Sequence, residues 1–450
     1  MTIRLSNLSV AIALVLLLAA GCSSSQGSGT PPLGGAAGTT VGAAGSSSGA
    51  AGAGGNVASL GGATSGGFTS SGGVSASGAA SGGGTNGGAT ASGGASGSGG
   101  GAGGGGAANG GAATSVDAVK MATDMGFGAN IGNTLENTTA WETGWGQPLI
   151  TQAFINGMAS RGIKTVRVPL AWDTYATNGV IDATKLNRAK EVVGWIETAG
   201  MYAIVNIHWD GGWIYNESKP NQYKLTSDVT AKFAAYWTQI ATGFSNVGHR
   251  LVFEGLNEEG RFYLDGDSSQ APDYAALNQL NQLFVATVRN QSGFNKTRAL
   301  LIAGFNTDID LTCVNGFAVP TDPAGTGKLL LSIHYYTPYT FTGLDTVESW
   351  GSPAVKWGTD AEQATLQALF SKLATFSTQK KIPVIIGEFG ATRGMEYVRE
   401  SASRTLWMES VAKAALSRGM VPVLWDTGSE IKRADGSFST EFQTVINDTK

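Results

Sequence analysis

From Val116 to the end of the chain, short apolar runs alternate with longer stretches in which apolar residues return every three or four positions. Eight runs have strand length: Phe127–Gly132, Thr165–Leu170, Tyr202–His208, Leu251–Glu258, Ala299–Gly304, Leu329–Tyr336, Pro383–Phe389 and Pro422–Gly428. Most are rich in Val, Ile and Leu, the pattern of strands covered on both faces. Between them, Ala183–Ala199, Ser227–Phe244, Asp273–Gln291, Asp360–Gln379 and Glu396–Arg418 have amphipathic, helical spacing. Gly200 and Gly419 follow two of these directly, as helix-ending residues do. Strand and helix alternating eight times predict an α/β fold of the (β/α)8 TIM-barrel type across residues 116–450. The competing arrangement is a doubly wound open sheet. It calls for a glycine-rich phosphate loop between an early strand and its helix, and none occurs in that context.

Ahead of residue 116 the pattern disappears. Residues 23–115 are almost wholly Gly, Ser, Ala and Thr, and no Asp, Glu, Lys or Arg occurs between Arg4 and Asp117. More than half of the 67 glycines lie there, whereas all 11 Trp and all 11 Tyr come after residue 140. Such a segment has too little apolar area to offset its ordering entropy, so residues 22–115 read as a disordered linker. At about 5–6 Å × √n its mean reach is on the order of 50–60 Å. Residues 1–21 carry Arg4 and then an apolar run from Val10 to Ala20. That run is too short to cross a bilayer and suits the core of a secretory signal. It ends in Leu18-Ala19-Ala20-Gly21-Cys22, which resembles the lipobox of bacterial lipoproteins. The resemblance implies cleavage before Cys22, a lipid on its thiol and a membrane as partner. Ser23, with no acidic residue nearby, implies export to the outer membrane or cell surface. Ordinary signal cleavage that leaves Cys22 free is the alternative.

A formal net charge of −4 and a pI near 5.5 speak against nucleic acid as a partner, which calls for a basic face. Cys22 and Cys313 are the only cysteines, so there is no disulfide framework and no cysteine zinc site. Three histidines are too few for most histidine-rich metal centres. Nothing in the pattern calls for an obligate oligomer, and a monomer is expected.

A barrel of this type builds its site from the C-terminal ends of its strands. Those ends carry Asn133, Arg167, His208 with Trp209, Asn257 with Glu258, His334 with Tyr336, Glu388, and Trp425. Glu258 and Glu388 close the fourth and seventh strands, which face each other across the mouth. Glycoside hydrolysis requires one carboxylic acid to protonate the leaving oxygen and a second carboxylate across the anomeric carbon, about 5–5.5 Å away in retaining enzymes. Trp209, Trp213, Trp141 and Trp145 fall in rim loops, where aromatic rings stack on sugars. Alternation along the fourth strand puts Glu254 and Glu258 on one face, with Glu254 deeper as the expected partner of Arg167. Arg393 is the alternative partner for Glu388.

The ordered set resembles glycoside hydrolase family 5, the cellulase family. The resemblance rests on Asn257-Glu258 after Leu251–Leu256, Val384–Gly390, Thr165-Val166-Arg167-Val168-Pro169, His334-Tyr335-Tyr336-Thr337-Pro338, Asn130–Leu135 and Trp141–Pro148, and it spans about residues 117–450. It implies that Glu258 is the proton donor and later the base, and that Glu388 is the nucleophile. Asn257 would bond the sugar 2-hydroxyl. Arg167 and Tyr336 would support Glu388, and His334 would position the acid. His208 would line the glycone side, and Trp425 would form the stacking floor. No metal or cofactor is needed.

Two positions depart from the family pattern. Glu259 stands where Pro usually follows Asn-Glu, either raising the pKa of Glu258 or pointing into solvent. His208-Trp209 stands where endoglucanases often have His-His, which bears on substrate preference. The expected activity is retaining endo-hydrolysis of β-1,4-glucan. The same mechanism on mannan, xyloglucan or mixed-linkage β-glucan is the alternative. From other classes come a non-catalytic glycan-binding lipoprotein and a metal-dependent hydrolase using His208 and His334.

Overall fold

The computed structural model describes residues 116–214, 225–260, 262 and 272–450. The expected signal, Cys22 and the expected linker lie outside the described residues. The eight apolar runs each contain or overlap one barrel strand. These are β1 (Gly128–Asn130), β2 (Thr165–Val168), β5 (Tyr202–Asn206), β6 (Leu251–Glu254), β7 (Leu300–Ala303), β8 (Leu329–Tyr335), β9 (Val384–Phe389) and β10 (Val421–Leu424). A two-stranded hairpin, β3 (Ala176–Thr177) and β4 (Val180–Ile181), sits between β2 and its helix. The barrel strands pair in parallel in chain order, and β10 closes on β1.

Helix starts follow local chemistry. Asp182, Thr226, Asp273 and Ser439 each accept a backbone N–H of the first turn, and Thr359 with Glu362 forms a reciprocal capping box. Gly200 and Gly419 take the left-handed φ that ends the preceding helices, at 81° and 68°. The helix expected from Glu396 begins only at Ser401, because the chain from Arg393 to Glu400 is folded onto the loop before it. Asp345 accepts the N–H of Met395 at 2.8 Å and the Arg399 guanidinium at 2.8 Å.

The core has two parts. One fills the space between the strands and the surrounding helices. The other lies inside the barrel at its N-terminal end, where Met121, Ala122 and Met125 of helix Ala118–Met125 meet Ile204, Val252, Leu301, Leu330, Ile385 and Val423. The barrel floor is thus sealed mainly by apolar side chains, with the Thr165 hydroxyl tied to the Met125 carbonyl at 2.7 Å, and the charged residues inside lie toward the other end.

Two strands stop short of their apolar runs. Regular pairing in β6 ends at Glu254 and in β10 at Leu424, so Glu258 lies in the turn beyond the ladder, while Trp425 adds one last bond from its N–H to Phe389 at 2.8 Å. The alternation expected from Glu254 to Glu258 therefore breaks. Gly255 still donates to Leu301 at 3.0 Å, but the Asn257 N–H turns to the Glu259 carboxyl at 2.6 Å instead of to a neighbouring strand.

Trp237 braces this departure point. It is fully buried, packs on Phe253 and Phe284 with ring centroids 5.6 and 4.5 Å away, and donates its indole N–H to Gly255 at 3.1 Å. Trp237→Ala is expected to cost about 3–5 kcal/mol of stability in urea unfolding. Trp237→Phe should cost clearly less, and equal losses would remove the packing argument.

Candidate active site

Arg167 stands at the centre of the polar end of the barrel, its side chain wholly buried. Its Nε donates to Glu254 Oε2 at 2.7 Å and its Nη1 to Glu388 Oε1 at 2.7 Å. Nη1 also reaches Asn130 Oδ1 at 3.0 Å, and Nη2 reaches Asn257 Oδ1 at 2.8 Å. Burial pulls the guanidinium pKa down, but Glu254 and Glu388 overrule it and hold the charge above its ordinary strength. Glu254 takes a second bond from Ser332 Oγ at 2.7 Å. The Glu254–Arg167 pairing expected from the sequence is present, and so is the contact of Arg167 with Glu388. Arg393 bonds Glu430 and Glu441 instead.

Glu388 is aimed by a register shift. Ile333 pairs with Ile386, but the next residue, His334, pairs with Glu388, so β9 carries one extra residue at Gly387. Plain alternation would send Glu388 outward, and the bulge turns it in. The position requires glycine. A Cβ there would lie 2.9 Å from Ser332 Oγ and 3.1 Å from His334 Nε2. Tyr336 donates its hydroxyl to Glu388 Oε2 at 3.0 Å. Burial pushes the Glu388 carboxyl above its ordinary pKa and the nearby Glu258 adds to this, while His334, Arg167 and the Tyr336 hydroxyl hold it down.

Glu258 meets His334, whose Nδ1 lies 2.9 Å from Glu258 Oε1. His334 Nε2 is buried and has no partner among the described residues. Nδ1 is therefore the ring nitrogen that engages Glu258. One oxygen from each of Glu258 and Glu388 and one nitrogen of His334 lie within 4.8 Å of one another.

His208 and Trp425 stack, with ring centroids 5.7 Å apart and planes within 6°. Asn206 contacts His208 Nδ1 at 3.4 Å, with its amide oxygen already taken by the Leu170 N–H. Burial, then Arg167 and His334, lowers the His208 pKa well below its ordinary value, so the ring is neutral. Trp425 lies against Gly132, where a Cβ would come within 3.0 Å of the indole. Asn133 follows with φ at 60° in a turn closed by Glu136, which accepts the N–H groups of Asn133 and Thr134.

The rim tryptophans divide. Trp209 is 40% exposed. Trp213 is half-buried, with Lys232 Nζ over its ring at 4.6 Å, Tyr236 at 5.7 Å and its N–H toward Asp210 at 3.3 Å. Lys232, Tyr236 and Asp210 thus hold Trp213 in place at the rim, with part of its surface still exposed. Trp141 is buried against Tyr175, which removes it from the rim.

Glu259 does not point into solvent. It is 8% exposed and accepts the Asn257 N–H. Burial, reinforced by Glu258 and Glu254, pushes its pKa up to about 8.

Sequence reasoning missed Asn130, which receives Arg167 and donates to the Gly387 carbonyl at 2.9 Å. A polar residue inside an apolar strand was the available signal. It also missed Tyr339, buried in the turn beyond β8 and stacked on Trp350 at 6.3 Å. Among the described residues, Glu258, His334 and Glu388 are also the one cluster with the donors for a metal ion. The guanidinium already bonded to Glu388 would repel a cation there, and His334 Nδ1 is already engaged by Glu258 at 2.9 Å. The set fits proton transfer better than metal binding.

Two carboxylates this close, each tied to its own positioning partner, in the mouth of a parallel (β/α)8 barrel, define a glycosidase of the retaining geometry. The chain belongs to glycosyl hydrolase family 5, the cellulase family, whose profile, described as Cellulase (glycosyl hydrolase family 5), matches residues 126–430. It is 34% identical over 343 residues to endoglucanase A of Paenibacillus barcinonensis, covering 70% of this chain and 83% of that one. It is 31% identical over 340 residues to a xyloglucan-specific endo-β-1,4-glucanase of Bacteroides ovatus, covering 71% of this chain and 66% of the relative. A solved broad-specificity endoglucanase from an uncultured bovine rumen ciliate superposes with a TM-score of 0.66 at 31% identity, over 74% of this chain and 98% of that one. This protein is a retaining glycoside hydrolase.

Tyr336→Phe removes one bond to ionised Glu388 and leaves the ring. The acidic limb of kcat/KM against pH should move to higher pH by on the order of one unit. An unmoved acidic limb would separate Tyr336 from the ionisation of Glu388.

Proposed function

We propose that this chain cleaves β-1,4-glucan internally by double displacement, with Glu388 as nucleophile and Glu258 as general acid and then base. The observation that carries this is that one oxygen of Glu258 stands within 4.8 Å of one oxygen of Glu388, too close for the wide spacing of an inverting pair. Retaining pairs lie about 5–5.5 Å apart, while inverting pairs stand about 6.5–9.5 Å apart to admit a water. In the first step Glu388 attacks the anomeric carbon as Glu258 gives its proton to the departing glycosidic oxygen. In the second, Glu258 takes a proton from water, the oxygen attacks the anomeric carbon, and the Glu388 carboxylate leaves. Asn257 has its amide oxygen anchored on Arg167, which leaves its NH2 as the group to meet the 2-hydroxyl. The His208–Trp425 stack supplies an apolar floor for a glucosyl ring.

Endoglucanases among the relatives support glucan as the substrate. The xyloglucan-specific relative favours a second reading in which a substituted glucan backbone is also accepted. A purely glycan-binding role leaves the Arg167–Glu388–Tyr336 and His334–Glu258 arrangements without a purpose. We further propose that the barrel acts as a monomer, tethered through residues 22–115 to a lipid on Cys22 at the outer membrane or cell surface. The support is the signal-like run, the lipobox resemblance and the composition of that segment.

Residues 116–450 should release reducing sugar from carboxymethylcellulose, barley β-glucan or xyloglucan. Glu388→Ala and Glu258→Gln should each lower kcat by about 10²-fold or more while the thermal midpoint stays nearly unchanged. Activity surviving in Glu388→Ala would end the assignment, and galactomannan as the sole substrate would move the specificity. In the full chain, Cys22→Ser should abolish labelled-palmitate incorporation and release the enzyme from membranes. Unaltered membrane association would dismiss the lipid anchor.

A further inference from the structure

Asn257 and Glu258 lie beyond the last ladder bond of β6, so their placement has to come from other contacts. The Asn257 side chain is fixed by Arg167 at 2.8 Å, and its backbone N–H is taken at 2.6 Å by Glu259, two residues on. Just past Glu259 the chain is wedged against the loop after β7. A Cβ on Gly260 would stand 2.2 Å from the Asn306 nitrogen. Glu259 itself is buried.

We propose that Glu259 is a positioning residue for the general acid, folding back on its own backbone to fix the Asn257–Glu258 peptide from which Glu258 reaches the cleft. The inference rests on Glu258 being the acid. Glu259 works by accepting one hydrogen bond, not by touching substrate. The charged groups facing it among the described residues are Glu258 and Glu254, both acids, and with burial they keep its carboxyl protonated at pH 6. A protonated carboxyl and a glutamine amide have nearly the same shape and both can accept the Asn257 N–H, so glutamine is the faithful replacement. Without the bond the turn loosens, and displacing a reacting group by about 1 Å costs on the order of 100-fold in rate.

The test compares kcat/KM at pH 6 on two aryl β-cellobiosides, one with a 2,4-dinitrophenolate leaving group and one with unactivated phenolate. The first departs without a proton and the second needs Glu258. Glu259→Ala should lose about 100-fold on the phenyl glycoside and about tenfold less on the dinitrophenyl one. Glu259→Gln should return both to within about threefold of the parent. If Glu259→Ala does not fold, Glu259→Met, similar in length and without an oxygen acceptor, takes its place. Equal losses on the two substrates, no loss at all, or a folded Glu259→Gln as impaired as the alanine variant would each overturn the proposal. Glu258→Gln is the control and should show the same leaving-group split in larger form. Absence of the split in that variant would topple the acid assignment itself, an outcome distinct from failure of Glu259 alone.

Discussion

The buried guanidinium of Arg167 is the constraint on which this site depends. An ionised group without solvent needs close partners, and removing one from a buried set is far costlier than the set is favourable. Arg167 has four such partners, drawn from β1, β6, β9 and the turn after β6. Glu254, locked between Arg167 and Ser332, carries the structural share of the charge balance. That leaves Glu388 paired to the same cation, with its second oxygen bonded to Tyr336 at 3.0 Å and facing His334 Nδ1 at 3.7 Å. Two acids around one cation make the site electron-rich. Glu388 is consequently pulled both ways, up by burial and Glu258, down by His334, Arg167 and Tyr336.

The two ends of the barrel are chemically separate. Helix Ala118–Met125 and the inward aliphatic residues fill one end and carry stability. The other end holds the polar network, and its turns are held by side chains instead of strand pairing. Glu136 closes the turn after β1, and Asp210 takes the N–H groups of Trp172, Asp173 and Thr174 from the neighbouring loop. Asp426 and Arg433 brace the turn of Trp425. These carboxylates are buried yet remote from the reaction. Their work is to satisfy backbone donors that leave the sheet, which any buried loop has to accomplish.

Much of this was legible along the chain. All eight strands follow from apolar runs, because a strand covered on both faces has no choice of composition. The stops at Gly200 and Gly419 follow from the backbone freedom of glycine. The pairing of Glu254 with Arg167 follows from the cost of an unpaired buried charge. Less legible were the points where the ladder ends or slips. The bulge at Gly387 leaves no local signature apart from a glycine within an apolar run, and Trp213 differs from Trp209 only in what packs over it. Asn130 and Tyr339 were passed over because a single polar or aromatic residue declares its role only through its neighbours.

The sequence by itself determined the fold class and the reaction class and pointed to both candidate carboxylates, since hydrophobic period and side-chain chemistry are local properties. Tertiary structure alone decided that the carboxylates stand within 4.8 Å, that one guanidinium serves both Glu254 and Glu388, and that Glu259 turns inward. The reason is physical. Hydrogen bonds and ion pairs act over about 3 Å between residues far apart in the chain, and only the closed barrel determines which of them meet.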